Sequence, residues 1–343
     1  MKVSTIGIDL AKNVFAIHGV DGSGNAVVKR TLRRNQVLPF FRKQAGCLIG
    51  MEACASAHYW ARALMGLGHE VKLIPPAYVK PYVKRGKTDG IDAAACCEAV
   101  GRPEMRFVPV KDEEQQSVLS LHRARAMLVG QKTQTANLVR SQCAEFGVVV
   151  GRGIARLGDL AAIIFNENDT RLPATARLAL KPLMDHLEHL ACNIAALDRE
   201  IVSRSRSDAA CRRLETIPGI GPITASALSA TIGDAGRFRT GRDLAAWIGL
   251  TPRANSTGGR DKGGPISKQG DRYLRRLLVQ GAAAVVKAAA NPRATSPTPW
   301  LRELLGRKKP KVAIVAQANK TARIAWSVLV KEQEYRAHHA DAR

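Results

Sequence analysis

Acids, aromatics and long apolar runs are all scarce in this sequence. Only 29 of its 343 residues are Asp or Glu, against 53 Lys or Arg, which leaves a formal net charge of +24. An excess of that size repels itself in a compact chain and favours a polyanionic partner, nucleic acid before an anionic membrane surface. Apolar stretches such as residues 277–286 fall well short of the ~20 residues a spanning helix needs, which excludes a bilayer-crossing protein. The opening MKVSTIGIDLAKN alternates like a strand and carries Asp9 where a secretory signal would continue its apolar core, so a cytoplasmic location is expected. Seven cysteines, odd in number and without a Cys-x-x-Cys pair, argue against both a disulfide framework and a zinc module. Reduced, mostly buried thiols are expected instead. What is present, 45% hydrophobic and 24% charged residues, is the composition of a chain that buries ordinary cores, with two or three domains as the prior.

Residues 1–110 alternate strand and helix patterns. Strands are expected at 3–9, 14–20 and 26–32, the first turn being Asp21-Gly22-Ser23-Gly24, followed by strands at 47–51 and 70–74 with helices between them. Three antiparallel strands leading into strand–helix alternation is the order of an α/β, RNase H-like fold. Residues 111–206 carry no strand signal and form a helical middle. There Leu183, Leu187, Leu190, Ile194, Leu197 and Ile201 step by four and three, the seam of a coiled coil or of an intramolecular hairpin core. Residues 207–343 read as a second, α-rich domain containing a Gly-rich basic loop at 252–270, a loop at 291–299 and a frayed end.

Four acids stand where chemistry is usually placed. Asp9 ends the first strand, Glu52 follows the fourth, and Asp89 and Asp92 open a helix with i, i+3 spacing, one face and about 5–6 Å between Cβ atoms. Carboxylates held that closely repel unless a cation lies between them. Hard divalent ions take such oxygen ligands, and Mg²⁺ or Mn²⁺ both suit them. Singly, each acid also reads as a strand end, a dipole-facing acid or an N-cap; the coincidence of four in one α/β domain favours a metal site for phosphoryl transfer.

The stretch GLTPRANSTGGRDKGGPISKQG, residues 249–270, offers Arg253, Arg260, Lys262 and Lys268 beside the hydroxyls of Ser256 and Thr257. Flanking cations stabilise charge on an attacked phosphorus, the condition under which a serine becomes a nucleophile; the alternative is a turn hydroxyl bonding its own backbone. IPGIGPITA, with Gly219 and Gly221, resembles the hairpin of helix-hairpin-helix modules, whose backbone amides contact phosphate, or else is a plain helix–helix turn. Arg272, Arg275 and Arg276 add cations to the helix that follows.

Taken in order, GIDLAKN, GMEACASAHYW, KTDGIDAAA, IPGIGPITA, GLTPRANSTGG and ISKQGDRYLRRLL resemble the DEDD-type insertion-sequence transposases of the one-ten family and its one-one-one-one subgroup. That resemblance spans nearly the whole chain. It implies a RuvC-like domain at 1–110, a helical coiled-coil region at 111–206 and a transposase domain at 207–343. It also implies Asp9, Glu52, Asp89 and Asp92 as ligands of Mg²⁺ (or Mn²⁺), and Ser256 as a nucleophile that becomes joined to DNA. In this sequence Thr257 separates Ser256 from the glycines, so Thr257 is the alternative reacting position. The partners implied are donor and target DNA, an element-encoded non-coding guide RNA, and further copies of the chain as a dimer or tetramer, all in the nucleoid. A RuvC-like metal-dependent nuclease and a non-catalytic nucleic-acid-binding protein are the competing readings.

Overall fold

The first 114 residues form one unit and residues 115–343 another. The computed structural model describes residues 2–84, 86, 88–151, 153–257, 260–291 and 298–336, and within these the side chains of Ile154 and of residues 254–262 are excluded. The expected loop at 291–299 and the expected frayed end fall largely on 292–297 and 337–343, outside the described residues.

The first unit is built on a mixed five-stranded sheet of order β3-β2-β1-β4-β5. Strands β1 (Thr5–Asp9), β2 (Val14–Val20) and β3 (Ala26–Arg33) are antiparallel; β4 (Leu48–Glu52) and β5 (Glu70–Ile74) run parallel to β1. The β2–β3 turn closes because the Asp21 carboxylate accepts from the backbone N–H of Ser23 and Asn25, both at 2.9 Å, while Gly24 takes φ +84°. One sheet face, with Ile6, Ile8, Phe15, Ile17, Ile49 and Met51, is packed under helices α1 (Val37–Arg42) and α2 (Ala57–Met65). After the short α3 (Pro76–Val79), helix α4 (Asp89–Val100) covers the opposite face.

The seating of α4 is set by two glycines paired across adjacent strands, Gly7 of β1 and Gly50 of β4. A Cβ on Gly7 would lie 2.0 Å from the Ala93 carbonyl oxygen and 2.3 Å from the Cys97 nitrogen; one on Gly50 would lie 2.6 Å from Val100 Cβ and 2.7 Å from the Cys96 oxygen. Helix backbone therefore rests on strand backbone with no side chain between them, which the small residues Ala93, Cys96 and Cys97 permit.

The second unit is helical apart from one hairpin. Its helices are α5 (Glu113–Ala144), α6 (Leu157–Phe165), α7 (Ala174–Ser207), α8 (Ala209–Glu215), α9 (Pro222–Ile232), α10 (Gly241–Ile248), α11 (Arg272–Ala289), α12 (Pro299–Arg307) and α13 (Pro310–Lys331). Leu187, Leu190 and Ile201 of the apolar seam are buried within this chain, and Leu187 joins a cluster with Val139 and Cys143 of α5 and Leu160 and Ile164 of α6. A larger core gathers residues of α8 to α11 and α13. Residues 252–266, read from sequence as part of a loop, instead form an antiparallel hairpin of β6 (Pro252–Thr257) and β7 (Arg260–Ile266). Pro252, Pro265 and the pair Gly263-Gly264 conceal a strand that a neighbouring strand, rather than side-chain propensity, stabilises. All seven cysteines are free, with Cys47, Cys96, Cys97, Cys143 and Cys211 buried. Among the described residues no helix is long and apolar enough to cross a membrane.

Because the obstacles facing Gly7 are backbone atoms, Gly7→Ala should cost at least the ~1–3 kcal/mol typical of overpacking in urea denaturation. Gly22→Ala, with nothing within 4 Å of its Cβ position, should leave the midpoint unchanged.

Candidate active site

Strand register brings the first two acids together. Ile8 pairs with Met51 in the parallel β1–β4 ladder, so Asp9 and Glu52, one residue further on, stand side by side at the strand ends. Each is two residues beyond its glycine, and alternation along a strand puts both on the face that α4 covers. The helix rows follow from the same contacts: Ala93 and Cys97 lie over Gly7, Cys96 and Val100 over Gly50. One turn earlier in those rows are Asp89, toward β1, and Asp92, toward β4. The N-terminus of α4 thus caps the C-terminal ends of β1 and β4, and all four predicted acids meet there.

Their electrostatics agree with that placement. The Asp9 carboxyl is pushed up to about 6 by burial and then by the negative charges of Asp92, Asp89 and Glu52, with the Leu10 backbone N–H opposing the rise. Glu52 is raised by burial and by Asp92. Beneath them the buried Cys96 thiol is driven up to about 12 by burial, then by Glu52 and Asp9. Among the described residues none of the four acids forms an ion pair. Asp89 and Asp92 stand in the first turn of α4, at the positive end of its dipole.

The second predicted site lies in the other unit. Ser256 pairs with Asp261, and Thr257 with Arg260, in the last two rungs before the β6–β7 turn. The side chains of Ser256, Thr257, Arg260 and Lys262 lie outside the described ones. The base of the hairpin is clamped. A Cβ on Gly249 would sit 2.1 Å from the Gln269 oxygen and one on Gly270 1.9 Å from the Trp247 oxygen, both glycines having positive φ. Arg275 Nη1 donates to the Ile248 and Gln269 carbonyls, each at 2.7 Å, so this expected phosphate ligand is committed to the hairpin root. Arg253, Lys268, Arg272 and Arg276 are exposed, Arg276 lying 5.2 Å from the Tyr273 ring centroid. Gly219, at φ +87°, packs on α11, where a Cβ on Gly281 would lie 1.9 Å from the Gly219 oxygen; Gly221 caps α9 with open space around it.

A sequence model described as "Transposase IS116/IS110/IS902 family" matches residues 211–297, and an IS110-type DEDD model described as "Transposase" matches residues 6–146. A "Probable family 20 transposase" of Pseudomonas aeruginosa is 50% identical, covering 98% of this chain and 99% of its own. The "Transposase for insertion sequence element IS1111A" of Coxiella burnetii is 36% identical over 97% and 92%. The chain belongs to the IS110 family of insertion-sequence transposases. A more distant relative, 24% identical over 83% of this chain and 84% of its own, is the "Pilin gene-inverting protein" of Moraxella lacunata.

This transposase is therefore an enzyme that cuts and rejoins DNA, and its DEDD domain points to dependence on a divalent metal. Among the described residues no three His, Cys, Asp or Glu side chains surround one point as the ligands of a single ion. Mg²⁺ needs no such cage, since it is held by one or two carboxylates together with waters and substrate phosphates. Hard oxygen donors bearing uncompensated charge fit it. Sequence reasoning missed the buried network beside the hairpin root: His122 bonds Tyr273 Oη through Nδ1 and Ser226 Oγ through Nε2, both at 3.1 Å, and Arg125 pairs with Asp198. Burial, then Arg125, lowers His122 to about 4, which keeps it neutral. A lone histidine in a helical run carries no signal of that role.

Asp9 binds its proton more tightly folded, near 6, than unfolded, near 3.8, so its stabilising contribution is present below about pH 4 and lost as pH rises through 6. In EDTA at pH 7.5, Asp9→Asn should melt a few degrees above the unaltered transposase, and the two should coincide at pH 4. Mg²⁺ should raise the melting temperature of the unaltered chain alone.

Proposed function

We propose that this transposase exchanges DNA strands through a covalent serine–DNA intermediate, with Asp9, Glu52, Asp89 and Asp92 holding Mg²⁺ or Mn²⁺ and Ser256 as the nucleophile. The observation that carries it is the convergence of four carboxylates, none ion-paired among the described residues, at the C-terminal ends of β1 and β4. In a chain of net charge +24 that acts on a polyanion, such a cluster is productive only with cations between it and phosphate. When bound, the ion activates the attacking oxygen and stabilises the leaving one. The Ser256 Oγ–phosphorus bond forms as the bond from phosphorus to the adjoining nucleotide's oxygen breaks, the serine proton passing to solvent and the freed oxygen leaving as a hydroxyl. A hydroxyl of the partner strand then attacks the serine-linked phosphorus, reseals the DNA and returns serine. Bond energy is conserved in the linkage, so no ATP is required. Ser256 lies in a strand pair whose root is fixed by Gly249, Gly270 and Arg275.

The Moraxella lacunata relative supports the same reading, since it is named as a gene-inverting protein. Donor and target DNA are the substrates in this reading, their sites chosen by pairing with an element-encoded guide RNA. The excess of Lys and Arg over only 5% aromatics favours contact with backbone rather than stacking on bases. Segments 1–110, 111–206 and 207–343 serve as the acid-bearing, coupling and serine-bearing parts of a dimer or tetramer in the nucleoid.

Incubated with DNA bearing an element end and Mg²⁺, the unaltered chain should yield a protein–DNA adduct that survives denaturing gel electrophoresis. Ser256→Ala should abolish it and Thr257→Ala should retain it; an adduct from Ser256→Ala would overturn the assignment. Cleavage with no adduct would identify a hydrolytic nuclease. Nucleic acid copurifying with the protein should include RNA encoded beside its gene.

A further inference from the structure

The acids occupy only part of the sheet face on which α4 lies. Beside α4, β2 and β3 form the floor of a groove of about 940 Å³. Register fixes which side chains line that floor. Ala16 pairs with Asp9 on one side and Thr31 on the other, and His18 pairs with Gly7 and Lys29. His18 and Lys29 are therefore on the same face as Asp9, in the strands immediately next to it. The groove is closed by the chain entering α4, which contributes Tyr82, Lys84 and Thr88, and by the flank of α4 itself.

The groove is cationic, and its charge is uncommitted. Lys29, Arg30 and Lys84 are exposed, and among the described residues none of them forms an ion pair. The one carboxylate on the rim, Glu98, is engaged by Arg102. His18, paired with Lys29 in the β2–β3 ladder, is lowered by burial and then by Lys29 and Lys84. Ammonium and guanidinium groups, an imidazole and the hydroxyls of Thr31 and Thr88 form a set that binds phosphate oxygens without distinguishing bases. Lys29 and the acids share one small unit and one sheet face, yet among the described residues the cations and the acids form no ion pair with each other.

We propose that this groove holds the phosphodiester backbone of the DNA strand being cut and leads its scissile phosphate to the acids. The proposal rests on the reading of those acids as the DNA-processing site. DNA is the occupant because the groove borders the acids of an enzyme that cuts DNA: its lining residue Ala16 is the strand partner of Asp9, and Thr88 and Gly90, which also line it, flank Asp89.

The test is equilibrium binding of a short labelled oligodeoxythymidylate to the full chain in EDTA, which separates binding from cleavage. Lys29→Gln with Lys84→Gln should weaken binding about tenfold and reduce the salt slope by about two, since each lysine releases roughly one counterion. The pair Lys29→Arg with Lys84→Arg should restore it. Arg42→Gln with Lys43→Gln removes the same charge at the exposed end of α1, and its affinity should change less than about twofold. Equal losses in the two Gln pairs would overturn the groove by showing only a global charge effect. A loss confined to oligouridylate, with DNA unaffected, would overturn it by assigning the surface to RNA. Failure of the unaltered chain to bind DNA would instead sink the functional reading, and the groove with it.

Discussion

The arrangement of the acid-bearing unit depends on the direct approach of α4's backbone to the sheet at Gly7 and Gly50. Because no side chain separates them, the helix cannot rotate or slide without a backbone collision, and its first turn is held over the ends of β1 and β4. Asp9 and Glu52 are fixed by strand register, Asp89 and Asp92 by helix phase, and the two glycines lock register to phase. Four carboxylates are thereby placed together by elements whose stability comes from elsewhere, chiefly the apolar core on the opposite sheet face. The cost is visible in Asp9, raised to about 6 by burial and then by the charges of its acidic neighbours. It is a local cost tolerated by a scaffold that does not rely on those groups for folding.

The hairpin of the second unit is mounted by the same kind of contact. Gly249 and Gly270 bring the end of α10 and the segment before α11 within backbone distance, and Arg275 bridges both with charge-assisted hydrogen bonds. Just beyond, Tyr273 is held by His122 of α5, which also holds Ser226 of α9. Three helices thus converge on the start of α11. In a buried setting, a network whose members are all satisfied fixes one geometry more sharply than apolar packing does. The consequence for function is a rigid root beneath a strand pair that carries the serine.

Much of the acid site was legible because strand ends and helix starts are marked locally. Alternation located β1 to β5, and the patterns Gly-x-Asp at 7–9 and Gly-x-Glu at 50–52 carry both the close-approach residue and the acid two positions later. What one strand's sequence cannot express is its partner's register, so the meaning of Gly7 and Gly50 emerged only with the fold. The hairpin at 252–266 was read as a loop since Pro and Gly dominate its signal, and backbone pairing outweighed propensity there. Arg275 was grouped with its neighbours as a phosphate contact, yet its target is a pair of carbonyls brought close by a turn that composition does not reveal. The apolar seam on α7 was correctly periodic, but periodicity does not name its partner; α5 and α6 of the same chain cover its first part.

Charge segregation on one sheet face is the remaining step. Were Lys29 and Lys84 present only to hold the unit together, the nearby acids would be their natural partners, and pairing would relieve the repulsion that, after burial, raises Asp9. Instead Glu98 is neutralised by Arg102, the cations line a groove, and the carboxylates gather beside residues that border it. Opposite charges kept apart at this range leave both sets poorly compensated, a disadvantage in a protein whose net stability is of order 10 kcal/mol. A ligand with negative phosphate along its length would satisfy the cations, and a divalent ion held by the carboxylates would satisfy the acids. On the proposed reading that complementarity gives the bound strand a direction, with its backbone along the cations and its reacting linkage toward the carboxylates.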